Sequence, residues 1–118
     1  MSSFGLDTIN RGCLILKPRQ PFIDWLNQTD SDEPIHLKEA REDVTAFLIP
    51  DFDSNEEADL FVKNNYLSFF EQILEDWITD ENIWPKDRTR TKFEQWFDIQ
   101  IHSMVVDTVD KKIVKEKN

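Results

Sequence analysis

The sequence predicts an α+β domain, on three observations. Short apolar runs closed by proline read as strands, and apolar residues spaced by three and four read as helix stripes. Nine Phe and four Trp among 118 residues supply bulk for one core. The length fits a single domain. A net charge of -10 is no sign of disorder here, because disordered chains lack large aromatics and this one has only two Gly.

Residues 1–10 carry no periodicity and are expected to form a flexible arm ahead of a domain spanning 11–108. The apolar run Cys13, Leu14, Ile15 and Leu16, closed by Lys17 and Pro18, reads as a buried strand. Pro21 is tolerated in a first helical turn, and Phe22, Ile23, Trp25 and Leu26 give a short helix one apolar side. Residues 27–34 read as an acidic loop, and a hairpin over 35–43 is one source of an extra strand. Residues 44–49 form the second strand. There Phe47 and Ile49 alternate against Ala46 and Leu48, and Pro50 ends the ladder because it has no N–H to donate.

Ser54 followed by Glu57 is a capping box, so a helix begins there. Its stripe of Ala58, Val62, Tyr66, Phe69, Phe70, Ile73, Leu74 and Trp77 faces the core to about residue 78, with Asn64 and Asn65 as a point of bending or splitting. Residues 79–90 read as a polar loop anchored by Ile83 and Trp84. Thr91 and Glu94 form a second capping box, with Phe93, Trp96 and Phe97 on the helix side behind it. The last strand is expected over 98–106, where Ile99, Ile101, Ser103 and Val105 alternate against Gln100, His102, Met104 and Val106. Residues 109–118 read as a fraying basic tail. The order β-α-β-α-α-β implies a small three- or four-stranded sheet with helices packed mainly on one face. Helical crossovers favour parallel neighbours.

Charge is the strongest functional signal. Between residues 24 and 62 twelve carboxylates face only Lys38 and Arg41, a local balance of -10 that equals the net charge of the chain. Such a field repels phosphate backbones and anionic membranes and steers basic partners toward the protein. Nucleic-acid and membrane binding are therefore disfavoured. The single cysteine, Cys13, excludes an intrachain disulfide. No apolar stretch approaches the ~18 residues of a membrane span, and residues 1–4 do not resemble a signal peptide. These features predict a cytoplasmic protein.

Candidate chemistry is sparse. Asp51, Asp53 and Asn55 match the first ligand positions of a calcium loop, but Glu56 stands where glycine is needed and Val62 where a bidentate glutamate is needed. The turn reads instead as acids favouring a helix N-terminus, with Asp51 and Asp53 kept as acid-base candidates at a strand end. His36 and His102 form no metal pair, and His102 reads as a half-buried strand residue rather than a general base. No metal, cofactor, nucleophile elbow or phosphate-binding glycine loop is predicted. Lys17 and Arg19, with Lys86, Arg88, Arg90 and Lys92 near Trp84, form a small cationic patch if their loops meet. The competing reading pairs Arg88 and Arg90 with acids such as Asp87 and Glu94. Trp77 and Trp96 read as core, and Trp84, followed by Pro85, as an exposed anchor for a partner.

Four stretches carry a resemblance: Leu16 to Leu26, Ala46 to Pro50, Trp84 to Thr89, and Trp96 to Ser103. Together they resemble a family of small acidic uncharacterised bacterial proteins over roughly residues 10–108. The resemblance implies a bacterial cytoplasmic origin and brings no catalytic assignment.

The first reading is a non-enzymatic interaction module, inhibitor or immunity proteins being its extreme form, that binds a basic protein partner. Its surface comprises Asp30, Asp32, Glu33, Glu42, Asp43, Glu56, Glu57, Asp59 and Trp84. The alternative is a small enzymatic or anion-binding domain, with Lys17, Arg19 and Arg88 holding the anion and Asp51, Asp53 or His102 as acid or base. The chain is a monomer, or a homodimer through the last strand's edge or Trp84.

Overall fold

The computed structural model describes residues 4–29 and 33–116. Along them run β1 (Phe4–Thr8), β2 (Arg11–Pro18), α1 (Gln20–Thr29), α2 (Leu37–Ala40), β3 (Ala46–Pro50), α3 (Asn55–Trp77), a 3₁₀ turn (Glu81–Ile83), α4 (Arg90–Trp96), β4 (Phe97–His102) and β5 (Val106–Val109). The fold is α+β. β2 is the middle of a three-stranded sheet ordered β3-β2-β4, and β1 pairs with β5 in a separate ribbon.

All hydrogen-bonded neighbours are antiparallel, which corrects the parallel expectation. The reason lies in the connections. α1 and α2 lead out from Pro18 and return to Ala46, which pairs with Ile15, so the chain re-enters the sheet near the end it left. α3, 23 residues and roughly 34 Å long, then carries the chain from the Arg11 end of the sheet back to the Pro18 end. β3 and β4 consequently run the same way, but β2 lies between them.

Side-chain alternation gives the sheet two unlike faces. Leu14 and Leu16 of β2 are buried, and the residues registered with them or beside them, Phe47, Ile49, Phe97, Ile99 and Ile101, belong to the same core. Cys13, Ile15 and Lys17 point the other way and are half-buried. The helices cover the first face with aromatic rings. Phe22 of α1, Phe70 of α3, Phe93 of α4 and Phe97 of β4 are each at most 1% exposed. Phe97 meets the other three at ring-centroid distances of 5.1, 5.6 and 5.5 Å.

Local chemistry explains the element ends. Ser54 Oγ accepts from Glu57 N at 3.2 Å, and the Glu57 carboxylate accepts from Asp53 N at 3.1 Å, so the capping box forms with its return bond one residue early. α3 is unbroken through Asn64 and Asn65, whose Asn65 amide donates to Phe61 O instead. α4 is capped by Thr89, not Thr91: Thr89 Oγ1 accepts from Lys92 N at 3.1 Å. The expected hairpin over 35–43 is the short helix α2 and the turn after it. Arg41 ties that segment to the sheet by donating to Pro18 O at 2.9 Å and to Asp98 Oδ2 at 3.3 Å.

The ends of the chain also differ from expectation. Phe4–Thr8 is a strand rather than a loose arm, because β5 supplies its partner. The strand expected over 98–106 stops at His102, and its continuation belongs to the ribbon. Residues 110–116 are exposed and irregular.

A Cβ on Gly12 would lie 2.7 Å from Phe52 Cε1 and 3.2 Å from the His102 carbonyl oxygen. The ring of Phe52 occupies the space a side chain would need. Gly12→Ala should therefore cost about 1–3 kcal/mol by overpacking, read as a lower urea midpoint. In a Phe52→Ala background the same substitution should cost markedly less, and an equal cost in both backgrounds would refute the contact.

Candidate functional site

The described acids of the acidic stretch stay on the surface. Asp24, Glu33, Glu39, Glu42, Asp43, Asp51, Asp53, Glu56, Glu57 and Asp59 are all exposed. Ion pairs among the described residues use other acids: Arg41 with Asp98 at 3.3 Å, Arg88 with Glu71 at 3.2 Å and Arg90 with Glu94 at 3.5 Å. Asp30 and Asp32 lie outside the described residues. Asn27 Nδ2 donates to Ile35 O at 3.0 Å and its Oδ1 accepts from Ile35 N at 2.8 Å. This amide imitates a backbone ladder step and ties α1 to the segment before α2.

The exposed acids divide between the two ends of the sheet. Asp51, Asp53, Glu56, Glu57 and Asp59 surround the start of α3, where the partial positive charge of the helix N-terminus favours them. Glu42 and Asp43 lie between α2 and β3, at the opposite end. There the last turn of α3 adds Glu75 and Asp76 and contains no basic residue. A helix C-terminus carries partial negative charge, so these acids repel it.

A cleft of about 330 Å³ opens at that second end. Leu16, Pro18, Phe22 and Ile73 contribute its apolar lining, and Asp43, Thr45, Asp76 and Trp77 its polar and aromatic border. Asp76 is held in place, since Thr45 Oγ1 donates to Oδ2 at 3.2 Å and Gln72 Nε2 to Oδ1 at 3.1 Å. Trp77 leans on Phe22 edge-on at 6.2 Å yet stays 40% exposed. Its expected core position is thus corrected: it borders the cleft. Asp76, Thr45 and Gln72 escape a reading that counts acids along the chain. The usable signal is two carboxylates in a final helical turn with no lysine or arginine beside them.

Trp84 is not an exposed anchor. It is 7% exposed, and its Nε1 donates to Ile78 O at 2.7 Å. Arg88 stacks over the ring at 5.8 Å and donates to Pro85 O, while its own carbonyl accepts from Tyr66 Oη. Lys92 lies over Trp96 at 5.5 Å. The basic loop is therefore built into the fold.

The anion-binding set does not converge. Pro50 is registered with Arg11, so Asp51 and Asp53 leave the sheet at one end, whereas Lys17 and Arg19 leave it at the other. Six residues of strand separate those ends by roughly 20 Å. His102 is registered with Cys13 and is exposed, not half-buried. Among the described residues no group of three His, Cys, Asp or Glu is placed to hold a metal ion, and no helix is long and apolar enough to cross a membrane.

Partial burial raises the Cys13 thiol above its ordinary range, because a thiolate loses hydration there. A raised folded-state value stabilises the fold fully below the unfolded thiol's pKa of about 8.5, and the contribution is lost as pH rises past it toward the folded value. Urea midpoints should accordingly fall on the alkaline side of that pH, and Cys13→Ala should flatten the fall. Iodoacetamide should label the native chain more slowly than the unfolded one at pH 8, and equal rates would contradict the burial.

No family model, curated protein or solved structure matches this chain. Its function is therefore argued from its own residues.

Proposed function

We propose that the chain is a non-enzymatic interaction module that binds a basic protein partner through its acidic surface. One observation carries the reading: ten carboxylates between residues 24 and 59 are exposed, and the ion pairs among the described residues include none of them. The three arginines in ion pairs among the described residues are joined to other acids, Arg41 to Asp98, Arg88 to Glu71 and Arg90 to Glu94. Charge of one sign left unneutralised accelerates encounter with a partner of the other sign. Glu33, Glu42, Asp43, Glu56, Glu57 and Asp59 form the recognition surface, to which Asp30 and Asp32, neighbours of Glu33 in sequence, add two carboxylates. An inhibitor or immunity protein that occludes a basic surface is the extreme case. The setting is a bacterial cytoplasm, in keeping with the lone thiol and the resemblance described above. The anion-binding alternative has no comparable support, since its residues lie at opposite ends of the sheet.

Screening length falls from roughly 10 Å at 0.1 M salt to about 3 Å at 1 M. The association rate of a partner captured from bacterial lysate at low salt should drop at least ~10-fold over that range, with a smaller change in dissociation. Glu42, Glu56 and Asp59 are exposed and make no side-chain hydrogen bond among the described residues. Reversing all three to Lys should therefore cost only about 1 kcal/mol, mainly at the α3 N-terminus, and an unchanged circular dichroism spectrum checks the fold. Surface plasmon resonance should show the reversed variant associating at least ~10-fold more slowly; unchanged association would remove the basis of the reading.

A further inference from the structure

The geometry points to an arginine-binding cleft at the C-terminal end of α3, formed by Asp43, Thr45, Asp76 and Trp77, that receives one arginine side chain of the basic partner. The inference rests on the reading above and narrows it from a surface to a site.

Three features select this occupant. The first is charge. Asp43 and Asp76 border the opening, and the α3 terminus behind Asp76 adds its own negative end without a basic residue in the last turn. Protein helices favour Lys or Arg at that place, and here a partner supplies the missing cation. Asp76 is also pre-oriented. Each of its oxygens accepts one donor, from Thr45 or Gln72, and each keeps a lone pair for the fork of a guanidinium.

The second feature is the aromatic border. Arg88 over Trp84 and Lys92 over Trp96 each set a cation on an indole within the fold. Trp77 is 40% exposed and carries no such cation among the described residues. Its free surface is open to the same contact.

The third feature is size and lining. A cleft of about 330 Å³ stands at the small end of ligand sites, suited to one long side chain rather than a larger molecule. Half-buried Val44 and the exposed part of Trp77 offer apolar surface to the methylene stem, above a floor of buried Leu16, Pro18, Phe22 and Ile73. The weakly hydrated, stacking guanidinium suits such a lining better than a strongly hydrated ammonium, which favours arginine over lysine.

The test titrates the full chain with acetyl-Gly-Arg-Gly-amide and its lysine and citrulline counterparts, read by amide and indole NMR shifts. With the arginine probe, shifts should concentrate at residues 43–45 and 72–77 and at the Trp77 indole. Affinity should fall several-fold with lysine and vanish with citrulline, which keeps the shape without the charge. Asp76→Asn should weaken the arginine probe about tenfold, and Asp110→Asn, at an exposed position beyond β5, should leave it unchanged. Trp77→Leu serves as a second variant if Asp76→Asn loses native spectral dispersion. Shifts spread evenly over the acidic surface, equal affinity for lysine, or indifference to both variants would overturn the cleft assignment. Its failure is separable from that of the parent reading. A partner still slowed by the triple reversal but blind to Asp76→Asn leaves the acidic-surface reading standing and removes the cleft. The opposite pattern keeps the cleft and removes the broader surface.

Discussion

The packing of Phe22, Phe70, Phe93 and Phe97 is the constraint from which the rest of the architecture follows. Phe97 opens β4 directly after α4, with no linker, so its ring is fixed by the sheet while it touches rings from three helices. Truncating a ring of this kind typically costs about 3–5 kcal/mol, a large share of a domain's total stability of about 5–15 kcal/mol. The cluster sets where α3 lies over the sheet. Once Phe70 is seated against Phe97, the last turn of the helix brings Trp77 to Phe22 and Asp76 to Thr45, and the cleft is the space left between them.

What the sequence makes legible is local. Strands at the runs 13–16 and 44–49, the Ser54 cap and the stripe of α3 each depend on residues within a few positions of one another. They form as Arg11–Pro18, Ala46–Pro50, the cap itself and a stripe that holds as far as Leu74 but not at Trp77. What it conceals depends on partners far along the chain. Thr89 and Thr91 both offer a capping hydroxyl. Starting the helix at Arg90 brings that residue within 3.5 Å of Glu94 and seats Phe93 in the core, an outcome that only the tertiary packing selects. Trp84 next to a proline looks like an exposed loop residue. Its burial requires an acceptor for Nε1, which Ile78 O supplies through a bend in the chain. Residues 1–10 have no period of their own, and Phe4–Thr8 becomes a strand only because residues 106–109 return beside it.

The candidate site shows the same division. The acidic stretch is visible as a count, and its exposure follows from the cost of burying a carboxylate without a partner. Asp76 lies outside that stretch and is far from Asp43 in sequence, so no window along the chain joins them. The basic residues mislead for a related reason. Read in order, Lys86, Arg88, Arg90 and Lys92 make a patch, but in the fold Arg88, Arg90 and Lys92 are used to hold Glu71, Glu94 and the rings of Trp84 and Trp96. Each such ion pair removes one acid together with one base, so the outward charge stays negative because 24 acids outnumber 14 bases.

The two ends of α3 separate acids that need no explanation from acids that do. At the N-terminus Glu56 and Glu57 each gain on the order of 0.3–1 kcal/mol from the helix dipole, so there the proposed recognition surface and stability favour the same acids. At the C-terminus Glu75 and Asp76 meet the same dipole with the opposite sign, and the helix supplies no lysine or arginine to offset them. Burial of Phe70, Ile73 and Leu74 holds that turn in place despite the repulsion. Thr45 and Gln72 meanwhile orient Asp76 beside a half-exposed indole. This local arrangement, which gives up stability while fixing the direction of a charge, is the physical basis of the arginine cleft proposed above.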